Sequence, residues 1–349
     1  MFKSTNHEDG SNPPSLSKPV NMVSTTTAVK KPWKRYGDVM QESIDYVQKR
    51  ASGSIKSLKT QWKQFNKIGL NGIEWQSLYV LAARPGVGKT LIASSLTRHL
   101  QRLNKDQNFA VLHFQFEMLG RNMAIRELSG AFDMNIRHIQ SAQDDGLPPL
   151  SKAELAKLAE YANEQKMREE YVVDKALTVN QMEEIIMGFF KEVNKPVVIT
   201  LDHTLLVKQG ASETSKMHTL QNLSTMMTEM KNKLPVTFIV LTQLNREIDD
   251  AERQRPAALG NYPTEADVFG SDYLLQCADV MIAYNRPAKY NIAMYGPQRY
   301  QIDDKYLLAA HVLKNRFGET SIQWYKAQYN TMSIVEVPAP AMSHKVSRS

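Results

Sequence analysis

Between residues 78 and 243 the chain alternates short, continuously apolar runs with longer segments whose apolar residues recur every three or four positions. The runs predict buried β-strands, and the periodic segments predict amphipathic helices. The predicted strands are 78–81, 109–116, 171–174, 196–202 and 236–243, and the predicted helices are 91–100, 121–132, 151–170, 179–193 and 217–232. This alternation is typical of an α/β fold with a mostly parallel central sheet and helices on both faces.

The pattern changes on both sides of this region. Four later apolar runs predict further strands at 278–284, 306–313, 321–325 and 333–337. The charged stretch 245–272 shows no clear periodicity and is predicted to be a long loop, which in a compact domain is usually functional or mobile.

A short helix is predicted over residues 38–50, ahead of the main domain. Asp38 is its predicted N-cap, and one face carries four apolar side chains, Val39, Met40, Ile44 and Val47. Such a face must be covered by the rest of the chain or by a neighbouring subunit.

The polar ends of the chain complete a four-part organisation. Ser, Thr, Asn, Pro and Lys dominate the first thirty residues, a composition that does not support a packed core. We therefore predict a disordered basic tail at 1–34, a linker helix at 35–57, the main domain at 58–337 and a disordered tail at 338–349.

A phosphate-binding loop is predicted between the first strand and its helix. Its residues are Arg84, Pro85, Gly86, Val87, Gly88, Lys89 and Thr90. Strand, glycine-containing loop, Gly-Lys-Thr and helix form the context in which backbone N–H groups surround phosphates, the Lys reaches the β- and γ-phosphates, and the Thr hydroxyl reaches Mg²⁺. The strict pattern has a further Gly where this chain has Ala83.

Polar residues mark the ends of three other predicted strands. Glu117, Asp202 and Gln243 each follow an apolar run, and parallel strands bring such ends to one edge of the sheet together with Lys89. Asp202 is predicted to hold Mg²⁺ together with Thr90, as the strand-end Asp of P-loop proteins does.

Composition narrows the class of protein only slightly. The 349 residues are 42% hydrophobic, enough for a sizeable core, and the net charge of +7 favours an anionic partner. The lone cysteine, Cys277, excludes an intramolecular disulfide framework, and no apolar run reaches the length of a membrane span.

Six motifs in order give the chain a family resemblance from about residue 58 to 330. They are Ala82–Thr90, Phe116–Met118 with Arg126, Leu201-Asp202, Leu241–Arg246, Ala278-Asp279 and Lys314–Gly318. In this order they resemble the C-terminal ATPase domain of DnaB-type replicative DNA helicases, a RecA-like fold that binds ATP and Mg²⁺.

The resemblance implies roles for individual residues. Glu117 would be the general base that orients the attacking water, and Gln243 would sense the γ-phosphate. Lys314 and Arg316 would reach the nucleotide of the next subunit, and Arg126 would support the site. The predicted helix at 38–50 corresponds to a linker helix that docks on the neighbouring subunit of a hexameric ring.

The sequence departs from the family pattern at two places. His203 stands where the family usually has Tyr after the strand-end Asp, and the expected Asp-Leu-Arg-Glu-Ser-Gly segment reads Asp-Val-Phe-Gly-Ser-Asp at 267–272. The segment lacks its Arg, so we place DNA contacts on Lys208, Arg246 and the backbone at Gly270.

The resemblance covers only the C-terminal half of such helicases, because some 55 residues precede the ATPase domain. We therefore expect a stand-alone module of phage type, acting in the bacterial cytoplasm without membrane association. Single-stranded DNA and a homo-hexamer are the expected partners, with primase or a helicase loader as further candidates.

Three functions remain open at this stage. The first is an ATP-driven hexameric helicase that translocates on single-stranded DNA and unwinds the duplex. The second is a RecA-like recombinase or DNA-binding ATPase that forms filaments without unwinding. The third is a loader or regulatory ATPase that uses the nucleotide as a switch.

Overall fold

The computed structural model describes residues 33–141, 146, 148–255 and 260–342. Most of the two predicted disordered tails, 1–34 and 338–349, therefore lies outside the described residues. The chain forms two units, residues 1–55 and residues 56–349. No helix in the described part of the chain is long and apolar enough to cross a bilayer.

The described part of the smaller unit contains one helix, α1, Tyr36–Ala51. The prediction of Asp38 as its N-cap was wrong: Arg35 holds the cap position, and Asp38 lies in the first turn, where its charge faces the positive end of the helix. All four predicted apolar positions are exposed, from 37% at Val39 to 58% at Val47.

The larger unit contains nine helices and eleven strands within the described ranges. The helices are α2 Lys63–Asn66, α3 Lys89–Thr97, α4 Leu100–Leu103, α5 Gly120–Phe132, α6 Ile136–Ile139, α7 Lys152–Gln165, α8 Val179–Val193, α9 Lys216–Lys233 and α10 Ser271–Cys277. The strands are β1 Leu78–Ala83, β2 Ala110–Gln115, β3 Glu170–Val173, β4 Val197–Asp202, β5 Val236–Gln243, β6 Val280–Asn285, β7 Met294–Tyr295, β8 Tyr300–Gln301, β9 Leu307–Asn315, β10 Ile322–Gln328 and β11 Ser333–Glu336.

Nine of these strands form one sheet in the order β11-β10-β9-β6-β1-β5-β4-β2-β3. The six strands from β6 to β3 pair in parallel, whereas β9, β10 and β11 extend the β6 edge with antiparallel pairing. The predicted α/β class with a mostly parallel central sheet is therefore confirmed.

Both faces of the sheet are buried, and β1 shows how. Leu78, Val80 and Ala82 point into a core shared with α8 and α9. Tyr79 and Leu81 point into the opposite core, which contains α3 and the aromatic residues ahead of β1. A strand that is buried on both sides must be apolar at every position, which explains the uninterrupted runs in the sequence.

Two predicted helices are shorter than the periodicity suggests. The helix after the phosphate-binding loop ends at Thr97 instead of residue 100, and a separate turn, α4, follows. At the break Arg98 is buried, and its Nη2 donates to the Met332 carbonyl at 2.8 Å. The second helix, α7, ends at Gln165 because residues from Glu170 onward pair with β2 as β3.

A buried charge cluster closes the edge of the sheet where the parallel strands begin. Asp279 is 6% exposed, and its carboxylate accepts hydrogen bonds from Lys231 Nζ, from the Leu78 backbone N–H at 2.8 Å and from Arg316 Nη1 at 2.9 Å. The cluster thereby connects α9 and β9 with the starts of β1 and β6.

We expect Asp279→Ala to destabilise the protein strongly. The substitution leaves the ammonium of Lys231, itself 6% exposed, without its carboxylate, and removing one partner of a buried pair typically costs about 3–5 kcal/mol. Urea unfolding followed by circular dichroism measures the change in the free energy of unfolding.

Asp106→Ala is the matched control, because it breaks the exposed ion pair between Asp106 and Lys56. This variant should unfold at the same urea concentration as the wild type, since exposed pairs contribute little. Equal stability of the two variants would show that Asp279 does not hold this edge.

Candidate functional site

The loop between β1 and α3 has the left-handed backbone that its glycines predict. Gly86 has φ 78° and Gly88, the N-cap of α3, has φ 102°. A β-carbon on Gly88 would also lie 3.1 Å from the ring of Tyr329, whose hydroxyl donates to the Val87 carbonyl at 2.9 Å. Strain and space therefore both require Gly at position 88.

The predicted pair Thr90 and Asp202 is in contact. Thr90 Oγ1 donates to Asp202 Oδ2 at 2.6 Å, and Gln115 Nε2 donates to the same oxygen at 3.3 Å. Asp202 Oδ1 is buried and has no hydrogen-bond partner among the described residues. A buried carboxylate oxygen without a partner is costly, so this atom is suited to a cation or its bound water.

Lys89 lies at the same place and has no carboxylate partner in the described part of the chain. Its Nζ donates to the Ala83 carbonyl at 3.3 Å. Burial lowers the pKa of Lys89, an effect that the nearby charges of Glu117 and Asp202 oppose. A partly desolvated ammonium that donates only to a neutral carbonyl is ready to bind an anion.

Glu117 and Gln243 meet at His203. His203 Nε2 lies 3.9 Å from Glu117 Oε2 and 3.5 Å from Gln243 Nε2. Burial, with help from Asp202, raises the pKa of Glu117, while the charges of Lys89 and Arg126 lower it. Burial also lowers the pKa of His203. The structure thus brings the predicted base and the predicted phosphate sensor together.

Sequence analysis missed a second set of contacts around the loop. Lys289 Nζ donates to the Pro85 carbonyl at 2.6 Å, and Arg84 Nε donates to Asp249 Oδ2 at 2.8 Å. Tyr290 also donates to Asp249, at 2.7 Å. These partners are some 165 to 205 residues from the loop in sequence, and no local pattern signals their proximity. Gln115, in contrast, had a signal: it is a polar residue in an apolar run.

Lys314 and Arg316 lie at the opposite edge of the sheet. β9 runs antiparallel to β6, with Lys314 opposite Met281 near the start of β6. Arg316 is bound to Asp279, and Lys314 Nζ donates to the carbonyls of Leu275 and Gln276 at the end of α10. Because β6 is about 20 Å long, neither side chain lies near the loop of its own chain.

The predicted DNA-binding residues lie beyond the strand ends that carry the site. Lys208 follows β4 and Arg246 follows β5, and both are exposed. Gly270 has φ 69° at the start of α10, and a β-carbon there would lie 2.7 Å from Leu220. The loop before it is organised by Arg253, which donates to both carboxylate oxygens of Asp267.

Comparison with known proteins gives the same result as the geometry. Residues 57–333 match the profile of the DnaB-like helicase C-terminal domain. The replicative helicase DnaB of Helicobacter pylori (strain ATCC 700392 / 26695) is 24% identical over 260 residues, which are 73% of this chain and 49% of that protein. DnaB of Geobacillus stearothermophilus is 21% identical over 267 residues, 74% of this chain and 54% of that protein.

Two solved structures share the fold. A phage ATPase domain superimposes with a TM-score of 0.70 at 20% identity, covering 86% of this chain and 99% of that one. A DnaB-like replicative helicase, described with its interactions with primase, gives 0.68 at 20% identity and covers 85% of this chain and 67% of that one.

The curated relatives are about twice as long as the region they share with this chain, so the chain spans about half of their length. The profile match, by contrast, extends over most of the chain and includes the loop, Glu117, Asp202, Gln243 and Arg316. It confirms the enzyme class predicted from the sequence, a P-loop ATPase domain, and the chain belongs to the family of DnaB-like helicase C-terminal domains.

Proposed function

We propose that this chain is the ATP-driven motor of a replicative DNA helicase, which translocates on single-stranded DNA and unwinds the duplex as a hexameric ring. The observation that carries the proposal is the hydrogen bond between Thr90 and Asp202, with Lys89 and Glu117 beside it. This set provides a phosphate-binding loop, a metal-binding pair and a base at one edge of the sheet.

Mg²⁺ would be held by Thr90 and Asp202. The partnerless Oδ1 of Asp202 fits this role, and no group of three or more His, Cys, Asp or Glu suited to a metal occurs among the described residues. Mg²⁺ commonly takes only one or two protein ligands and completes its shell with water and phosphate oxygens. When bound, it would neutralise charge on the β- and γ-phosphates.

Glu117 would accept the proton of the attacking water. Its backbone is held after β2 because the Phe116 N–H donates to the Asp202 carbonyl at 2.8 Å. Its raised pKa makes it a better proton acceptor than an exposed carboxylate, and it remains ionised at neutral pH.

Glu117→Gln should stop hydrolysis while leaving ATP binding intact, because the amide keeps the shape but accepts no proton from water. We expect kcat to fall by about 10²–10⁴, the usual contribution of a general base. Steady-state ATPase assays give kcat, and titration with a fluorescent ATP analogue gives the Kd.

Glu160→Gln, an exposed change of the same chemistry on α7, is the control and should match the wild type. A loss of ATP affinity as large as the loss of kcat in Glu117→Gln would mean that Glu117 is structural.

The active site would be completed by a neighbouring subunit. Arg316 lies about one strand length from the loop of its own chain, and its side chain is 52% exposed despite its contact with Asp279. The apolar face of α1 is exposed in the single chain. Docking of that face on the next subunit would place the Arg316 edge of one chain against the loop edge of another.

Mixing two inactive variants tests this arrangement. Lys89→Ala lacks the phosphate-binding ammonium, whereas Arg316→Ala lacks the arginine finger, and each alone should lose nearly all activity. In equimolar mixed rings about a quarter of the head-to-tail interfaces pair an intact loop with an intact Arg316, so ATPase activity should recover toward that fraction.

The control mixture combines Lys89→Ala with the double variant Lys89→Ala/Arg316→Ala, which contains no intact loop and should stay inactive. Native mass spectrometry establishes that the variants share rings. Absence of recovery in shared rings would contradict a role of Arg316 in trans, and filaments in place of rings would favour the recombinase-like alternative.

Single-stranded DNA would contact the loops beyond β4 and β5. Lys208 and Arg246 are exposed cations on these loops. Since the loops start at the strand ends that carry Asp202 and Gln243, DNA bound there would lie close to the hydrolytic site.

Lys208→Glu combined with Arg246→Glu should weaken binding to single-stranded DNA and flatten its salt dependence. Each phosphate contact that the substitutions remove lowers the slope of log K against log salt by about 0.7 for a single strand. Fluorescence anisotropy with labelled oligothymidylate at several salt concentrations measures both quantities.

Lys105→Glu combined with Lys191→Glu changes net charge by the same amount with exposed residues that lie ahead of β2 and β4, at the other edge of the sheet. Similar decreases in affinity in the two double variants would indicate a general charge effect and remove the DNA contacts from these loops.

A further inference from the structure

His203 is the least expected residue of the site, and its hydrogen bonds define its protonation. The residue follows Asp202 and is 6% exposed. Its Nδ1 accepts the Leu205 backbone N–H at 3.3 Å. A protonated Nδ1 would face this N–H donor with another donor, so the ring is neutral and carries its one proton on Nε2.

The Nε2–H group faces two functional side chains. Glu117 Oε2 lies 3.9 Å away, and the side-chain amide of Gln243 lies 3.5 Å away. A carboxylate accepts only, and the amide accepts when its oxygen is turned toward the ring, an orientation that differs from the recorded one by an amide flip. One donor therefore stands between two acceptors.

The same residue is connected to the loops proposed to bind DNA. The Phe269 backbone N–H donates to the Gln243 carbonyl at 2.9 Å, and the Asn245 N–H donates to the Asp267 carbonyl at 2.6 Å. The segment before Gly270 is thus attached directly to the residue that His203 faces. On the other side Thr204, next to His203, donates to Thr242 at 3.0 Å and joins the end of β4 to β5.

We propose that His203 is a positioning residue that links Glu117 to Gln243 through its single Nε2–H, so that DNA bound beside the 264–270 segment sets the position of the catalytic base. The inference rests on the proposed function, because it assigns to that site the group through which DNA stimulates hydrolysis. With the donor on Gln243, Glu117 is free to orient water; with the donor on Glu117, the carboxylate is held back.

Two substitutions separate this role from a purely structural one. His203→Asn keeps an acceptor near the position of Nδ1, so it can still bind the Leu205 N–H, but its amide is too short to reach Glu117 and Gln243. His203→Gln places an N–H donor near the position of Nε2 and gives up the acceptor. A structural role is served by Asn, and a positioning role is served by Gln.

The experiment measures ATPase kcat and KM for both variants with and without oligothymidylate. We expect His203→Asn to lose about 10-fold in DNA-stimulated kcat, the effect of one neutral hydrogen bond, with KM for ATP and the DNA-free rate little changed. His203→Gln should stay within about 3-fold of the wild type. Thermal unfolding and binding of a fluorescent ATP analogue establish that both variants are folded.

Retention of stimulation in His203→Asn would overturn the proposal, and so would equal decreases in kcat in the two variants, since the donor would then not matter. Glu117→Gln distinguishes this failure from failure of the proposed function. If Glu117→Gln hydrolyses ATP like the wild type, the proposed function falls; if it is inactive while His203→Asn is fully stimulated, only the role of His203 falls.

Discussion

The hydrogen bond between Thr90 and Asp202 joins parts of the chain that are 112 residues apart, and the functional site depends on it. It connects the first turn of α3 to the end of β4, with β5 between β4 and β1 in the sheet. Because Oδ2 is occupied by Thr90 and Gln115, Oδ1 remains for a cation. The same strand end places His203 between Glu117 and Gln243. One polar contact in an apolar sheet therefore sets the distances among the loop, the metal-binding pair and the base.

The two edges of the parallel sheet carry different charges for different purposes. At the edge where the strands begin, Asp279 is fully engaged by Lys231, Arg316 and a backbone N–H, so the cluster stabilises the fold. At the edge where the strands end, hydrogen-bonding capacity is left over. A strand of six residues separates the edges by about 20 Å, so Arg316 can complete a hydrolytic site only on another copy of the chain. The geometry of one strand thus makes assembly a condition of the proposed catalysis.

Much of this could be predicted from the sequence because the signals are local. Uninterrupted apolar runs showed the strands buried on both faces, and the order of strands and helices required Glu117, Asp202 and Gln243 to converge with Lys89. Other features depend on contacts that leave no local pattern. Lys289 and Tyr329 reach the phosphate-binding loop from more than 200 residues away. The break after Thr97 reflects the burial of Arg98 against Met332, which helical periodicity does not encode.

The cations around the loop differ in how much of their charge is already neutralised. Arg84 is paired with Asp249, and this contact orients the start of the loop and uses its charge. Lys89 and Lys289 donate to the carbonyls of Ala83 and Pro85, and neither forms an ion pair among the described residues. Burial lowers the pKa of both ammonium groups, so each gains from an anion more than an exposed lysine would. A carbonyl is a weaker partner than a carboxylate or a phosphate, and it can be exchanged without leaving a buried charge unpaired. The loop is therefore rigid where Arg84 holds it and available where Lys89 and Lys289 meet it, which is the arrangement that a polyphosphate requires.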